Sequence, residues 1–251
     1  MSVLEALAIL AAGLAAGTLN TIVGSGSLIT FPVLIAFGYP PVVANVSNNI
    51  GLVPGSVSGV HGYRRELQGQ RRRALVLGSA SVVGGVAGAI LLLALPAATF
   101  EAIVPIFIAA AVALVLLQPW LTGKVADRRA RGAEGPAVAV PAALLLIGLY
   151  GGYFGAAQGI MLLAVLGVAL AEDLQRVNAL KNVLAGATNL VAGIVFLIAA
   201  EIDWGVVLLI AIGSIVGGHF GARIGRRLPA VALRALVVVV GATAIVRLTA
   251  G

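Results

Sequence analysis

Cysteine is absent from the 251 residues, charged side chains supply only 10% of them and aromatics only 5%. The first absence excludes a disulfide framework, a thiolate metal site and any cysteine nucleophile or persulfide relay. The second excludes ordinary soluble and disordered classes, in which about a quarter of residues carry charge. What fills the space is apolar. Hydrophobic residues reach 61% and the mean hydropathy is +1.11, more apolar surface than a water-soluble fold of this length can hide. The apolar runs are long and continuous, as in Ala74–Leu95 and Trp204–Ala222, whereas a transmembrane β-barrel shows alternating segments of about ten residues. The expectation is therefore an all-α integral membrane protein, with its 33 glycines letting helix backbones approach closely.

The formal net charge of +7 reports orientation, because Lys and Arg are retained in cytoplasmic loops; no nucleic-acid partner is inferred from it. The opening Met1-Ser2-Val3-Leu4-Glu5 lacks a basic n-region, so the first apolar stretch is expected to be a retained span and not a cleaved signal. Apolar segments fall at about 3–22, 27–38, 41–61, 74–95, 100–121, 137–156, 159–171, 174–200, 204–222 and 229–249. A full span needs about 20 residues, so 27–38 and 159–171 are too short. Each follows a Gly-rich break, Asn20-Thr21-Ile22-Val23-Gly24-Ser25-Gly26-Ser27 in one half and Gly151-Gly152-Tyr153-Phe154-Gly155-Ala156-Ala157-Gln158-Gly159 in the other. Broken or re-entrant helices follow, and irregular backbone at membrane depth survives only where protein or a polar cavity covers it.

The halves match at a constant offset of about 133 residues. Gly26 matches Gly159, Asn45-x-x-Asn48-Asn49 matches Asn178-x-x-Lys181-Asn182, Ser81-Val82-Val83-Gly84-Gly85 matches Ser214-Ile215-Val216-Gly217-Gly218, and Leu95-Pro96-Ala97 matches Leu228-Pro229-Ala230. Duplicated helix sets with broken helices are a signature of secondary transporters. The charges then set direction. The loop with Arg64, Arg65, Arg71, Arg72 and Arg73 is basic, yet its counterpart holds Glu201 and Asp203; the turn at Pro96 is uncharged, yet its counterpart holds Arg223, Arg226 and Arg227. Corresponding loops thus prefer opposite sides. The organisation expected is a first repeat of about five helical segments over 1–121, a basic cytoplasmic linker over 122–136 with Lys124, Arg128, Arg129 and Arg131, and a second repeat over 137–251, in inverted topology with both termini outside.

Asn45, Asn48 and Asn49 share one helix face, and Asn178, Lys181 and Asn182 repeat it. Carboxamides in a bilayer need partners and an amine there is costlier still, so both faces point inward. Two readings stay open for the asparagines, interhelical glue or solute contact. For Lys181 the alternatives are anion recognition and snorkelling to the interface, since it lies about 10 Å inside its helix start. Ser25, Gly26 and Ser27 open a helix whose free N–H groups and positive dipole end suit an oxyanion, and Gln158 and Gly159 take the corresponding place. His219 is a packing residue or proton carrier, and His61 sits at the interface. Glu172, Asp173 and Arg176 cap or flank a half-helix, with proton coupling as the alternative for the acids; Glu101 and Arg247 end spans.

This pattern resembles the TauE/SafE family of membrane permeases, the sulfite exporters. Asn20-Thr21-x-x-Gly24-Ser25-Gly26-Ser27, the following Phe31-Pro32, the polar run after Ala44 and the second copy after Gly151 carry the resemblance over nearly the whole chain. Ser25, Ser27 and Ala156-Ala157-Gln158 depart from the purer glycine strings of many members. The resemblance implies a multi-pass carrier of eight to ten segments in the bacterial inner membrane, exporting sulfite or an organosulfonate. Its substrate-contacting positions would be Asn20, Gly24, Ser25, Gly26, Ser27, Asn45, Asn48 and Asn49 in the first copy and Gln158, Gly159, Asn178, Lys181 and Asn182 in the second. The expected partners are a small anionic substrate and the lipid bilayer, with the proton as candidate coupling ion; no cofactor, metal or catalytic residue is expected. The competing readings are a carrier or channel for another solute and an intramembrane serine hydrolase pairing Ser25 or Ser27 with His219.

The inverted arrangement has a direct test in this cysteine-free chain. Single replacements Gln68→Cys and Ile202→Cys should react with a membrane-impermeant thiol reagent from opposite faces of sealed vesicles. Labelling from the same face would contradict it.

Overall fold

The computed structural model describes residues 1–130, 139–170, 172–224, 235 and 237–243. Among the described residues every regular element is a helix. The order is α1 (Val3–Ile22), α2 (Ser27–Ala36), α3 (Pro41–Gly62), α4 (Arg71–Ala94), α5 (Ala97–Ala130), α6 (Ala139–Tyr153), α7 (Gln158–Ala169), α8 (Leu174–Ala199) and α9 (Trp204–Ile224). Residues 237–243 are helical and Gly241 lies against Val112 of α5. Five helices, α1, α4, α5, α8 and α9, are long and apolar enough to cross a membrane, while α2, α6 and α7 are apolar but short. With five such helices the chain is a multi-pass membrane protein. Helix α3 has the length of a span, yet its three asparagines lower its hydropathy.

Local chemistry sets the boundaries. Pro41 starts α3 at a position where a missing N–H costs nothing. Ser2 and Glu5 form a reciprocal capping box at the start of α1, and Asp173 caps α8 by accepting from Gln175 N at 3.0 Å. The basic linker expected over 122–136 begins inside a helix, because Thr122–Ala130 continue α5: the stretch holds Lys124, Arg128 and Arg129 but no proline, and its only glycine is Gly123. Arg131, Arg226, Arg227, Arg247, the Leu228-Pro229-Ala230 landmark and most of segment 229–249 lie outside the described residues.

Glycine and serine surfaces set the packing. Gly13 meets Ile210 and Gly17 meets Ser214, so α1 and α9 run in the same direction. Gly51 and Gly55 meet Ile210 and Ser214, which aligns α3 with them. In the other set, Gly84 meets Leu145 and Gly88 meets Leu149, while Ser81 O accepts from Thr188 and Gly85 meets Val191, so α4, α6 and α8 run together. The sets oppose one another, because Ser56 pairs with Gly186 while Asn49 pairs with Gly193 where α3 crosses α8. The crossing of α3 and α8 thus sets the two groups of helices antiparallel.

The register differs from the sequence match in one respect. Helices α3 and α8 start 133 residues apart, as do α4 and α9, but α2 and α7 start 131 apart. The cause is length, since α2 has 10 residues and α7 has 12. Gly26 is therefore not the partner of Gly159 in space. The equivalent glycines are Gly24 and Gly155, whose φ values of +87° and +76° mark the same left-handed turn after a helix end.

At one end of the bundle Glu172, between α7 and α8, bridges Arg73 of α4 and Arg176 of α8, the latter at 2.7 Å. The Arg73 and then the Arg176 hydrogen bond hold the Glu172 carboxyl below the usual carboxylate range. Glu172 thus ties the α7–α8 connection to α4 and α8. At the start of α1, Glu5 accepts from the Tyr39 hydroxyl at 2.6 Å.

Candidate functional site

Helices α2 and α7 begin just beyond the ends of α1 and α6, and the two breaks touch. Gly159 N donates to Gly24 O at 3.1 Å, joining the second break to the first. A Cβ at either glycine would collide with the backbone of the other, so the sequence keeps glycine there for close approach. Ala157 carries φ +59° at the start of α7, a strained conformation for a residue with a side chain. In the first break the free N–H of Gly26 is already taken, accepted by Asn20 Oδ1 at 2.7 Å.

The third helix of each half caps the first helix of the other. A helix leaves its last carbonyls without partners and carries partial negative charge at that end. For α1, Lys181 Nζ donates to Asn20 O at 2.8 Å and to Thr21 O at 3.4 Å, and Asn178 and Asn182 each donate to Thr21 O at 3.2 Å. Lys181 is 0% exposed, so its amine does not snorkel to an interface. For α6, Asn45 donates to Tyr153 O at 3.0 Å, while the hydroxyl of Tyr150, in α6 itself, donates to Ala156 O in the break that follows at 2.7 Å. The equivalent asparagines Asn45 and Asn178 thus do the same work in opposite halves. Asn48 instead accepts from the Thr30 hydroxyl of α2, and Asn49 Oδ1 is buried without a partner.

A polar cavity opens beside the α1 break. Its walls come from Asn20, Thr21 and Gly24 of α1 and its end, Ser27 of α2 and Ser56 of α3. The opposite wall is Gly155, Gln158 and Gly159 at the second break with Asn182, Ala185 and Asn189 of α8. Gln158 is 3% exposed and its Nε2 has no hydrogen-bond partner. A buried amide donor left free costs about 1–3 kcal/mol, so its presence points to a ligand or water at that place. Among the described residues no lining residue is a carboxylate. The cavity volume is about 20 Å³, room for one or two waters, so an oxyanion needs the walls to part.

The structure brings Asn20, Gly24, Ser27, Gln158, Gly159 and Asn182 to the cavity and sets Lys181 behind them, its Cδ beside Gly159. Asn45, Asn48 and Asn49 lie outside it, as do Gly26 and Asn178, whose hydrogen bonds hold the helix ends. Ser25 is buried with its Oγ unpartnered. Among the described residues no hydrogen bond joins either serine to His219, which is exposed on α9 with its ring near Phe220; the hydrolase geometry is not formed. Ser56 and Asn189 escaped the motif reading. They stand seven residues beyond Asn49 and Asn182 on the same helix faces, and 133 residues apart, a signal that extending each polar stripe by two turns would have found.

The equivalent place beside the α6 break is filled differently. Phe31, Phe100, Phe107, Tyr150, Tyr153 and Phe154 pack together there, edge to face for Phe31 and Phe154 with centroids 5.2 Å apart and stacked for Phe107 and Phe154. Polarity on one side of the crossed breaks thus faces an aromatic plug on the other.

Comparison with known proteins agrees with this architecture. The family model described as sulfite exporter TauE/SafE matches residues 9–248. A protein of Sinorhizobium sp. named "Probable membrane transporter protein ORF9" is 30% identical over 236 residues, 94% of this chain and 88% of that one. "Probable membrane transporter protein YfcA" of Escherichia coli K12 is 26% identical over 235 residues, 90% and 83% of the two chains. No solved structure matches.

The left-handed turns give a contrast that a thermal melt of the purified protein checks. Gly24→Ala forces a side chain both into a left-handed turn and into Gly159, and should lower stability by about 2 kcal/mol or more. Ala157→Gly removes strain at the other break and should melt no lower than wild type. Equal destabilisation by both would contradict the crossed-break geometry.

Proposed function

From the premise that this chain belongs to the sulfite exporter TauE/SafE family and is a membrane transporter, we propose that it carries a small sulfur oxyanion, sulfite or an organosulfonate, outward across the bacterial inner membrane. The observation that carries this reading is the free, buried Gln158 Nε2 in a cavity walled by two helix starts and lacking any carboxylate. Helix starts present positive potential to an anion, and Lys181 adds an amine directly behind the wall. A cation would find no acidic ligand there.

The carrier works by alternating access: the two inverted repeats rock about the crossed breaks, and the anion is held near the midplane while each side opens in turn. The narrowness of the cavity supports an occluded resting form. The aromatic cluster on the other side of the breaks supports a barrier there. With an inside-negative potential, moving one negative charge outward gains about 2.3 kcal/mol per 100 mV, so export runs downhill without a coupled ion.

Ligand-induced thermal stabilisation of the purified protein tests the site, because binding to the folded state raises apparent stability. Sulfite should raise the midpoint of wild type, while Gln158→Leu, which removes only the free donor, should weaken sulfite about tenfold at unchanged basal stability. Lys181→Met should lower both affinity and basal stability, since it also strips Asn20 O of its donor and leaves Thr21 O to Asn178 and Asn182. Wild-type affinity in Gln158→Leu would remove the cavity from the transport path.

A further inference from the structure

Where α3 crosses α8, Ser56 pairs with Gly186 and Asn49 with Gly193. Position numbers at each contact therefore sum to 242 in antiparallel register. Equivalent positions differ by 133, so the crossing maps onto itself midway between residues 54 and 55 on α3 and between 187 and 188 on α8. Ser56 and Asn189 are equivalent residues lying one and a half positions beyond that centre. Both line the cavity. Ser56 Oγ donates back to Leu52 O at 3.1 Å and keeps its acceptor lone pairs free. Among the described residues the Asn189 carboxamide makes no hydrogen bond, although it stands on a helix that crosses the membrane.

The same wall has a lengthwise order. Asn182, bonded to the α1 end, marks the level of the helix starts. Along α8, Ser56 then lies level with a position about 6 Å on, and Asn189 about 10 Å on. The charged-group donors are thus at one end of the cavity and two neutral hydrogen-bonding side chains at the other. We propose that Ser56 and Asn189 form a second subsite at the centre of the molecule, specificity-determining for anions that carry a hydrogen-bonding group two or more carbons from the charged head. Such a solute places its sulfonate against Gln158 and the helix starts, and its hydroxyl or ammonium tail against Ser56 and Asn189. This rests on the cavity being the solute site, as proposed above.

The test compares binding of sulfite, ethanesulfonate, 2-hydroxyethanesulfonate and 2-aminoethanesulfonate to the purified full-length protein in lipid nanodiscs. For wild type, the hydroxyl-bearing anion should bind more tightly than ethanesulfonate. Asn189→Ala and Ser56→Ala should each weaken the hydroxyl-bearing anion about tenfold while leaving sulfite and ethanesulfonate within about twofold. Asn189→Asp, close to isosteric, should reverse the order by favouring the ammonium tail over the hydroxyl tail, a change that a merely structural role would not produce. Uniform loss across all four anions, or no change in any variant, overturns the subsite. If Gln158→Leu still weakens sulfite in that case, the cavity reading stands without it; if wild type binds none of the four, both fall.

Discussion

Everything distinctive in this structure depends on one electrostatic problem, the carbonyl end of a helix that stops inside the protein. Backbone carbonyls buried there have no water to turn to. The α1 end is satisfied by three side chains from α8, Asn178, Lys181 and Asn182, all buried and all reaching Asn20 or Thr21. That capping lets the chain break at Gly24 and restart at Ser27 without an orphaned polar end. It also fixes the second break against the first, because the α8 helix that caps α1 follows directly on α7, whose Gly159 donates to Gly24.

The two halves solve the problem with different chemistry. In one, an amine and two carboxamides serve the α1 end, and a polar cavity remains beside it. In the other, one carboxamide serves the α6 end, a tyrosine hydroxyl reaches the break beyond it, and six aromatic rings fill the space. The chemistry differs most at Asn48 and Lys181, of which the first accepts from the Thr30 hydroxyl and the second caps α1.

Much of the fold was legible because bilayer thickness and polar faces leave few choices. The apolar runs over 41–61 and 174–200 closely match α3 and α8, whose starts are set by Pro41 and the Asp173 cap. The short segments and their Gly-rich breaks were equally readable. What escaped was tertiary in origin. The partners of Lys181 lie about 160 residues away, so pattern alone shows that the amine must face inward but not that it ends on carbonyls. The two extra residues of α7 shift the register inside an apolar stretch where any offset looks plausible, which is why Gly26 seemed to match Gly159. Ser56 and Asn189 sit beyond the dense polar motifs and carry little signal until the crossing of α3 and α8 brings their faces together. The helical continuation over Thr122–Ala130 hid behind its charge.

The central claim is that the crossed breaks hold the transported anion, and anomalous diffraction tests it most directly. Selenite shares the charge, pyramidal shape and donors-in requirement of sulfite and scatters anomalously, so crystals grown with it locate the anion without reference to activity. The account predicts an anomalous peak within hydrogen-bonding distance of Gln158 Nε2, in the cavity bounded by Gly24, Ser27 and Asn182. Peaks confined to surface arginines such as Arg64, Arg65 and Arg72, with none between the breaks, would contradict it.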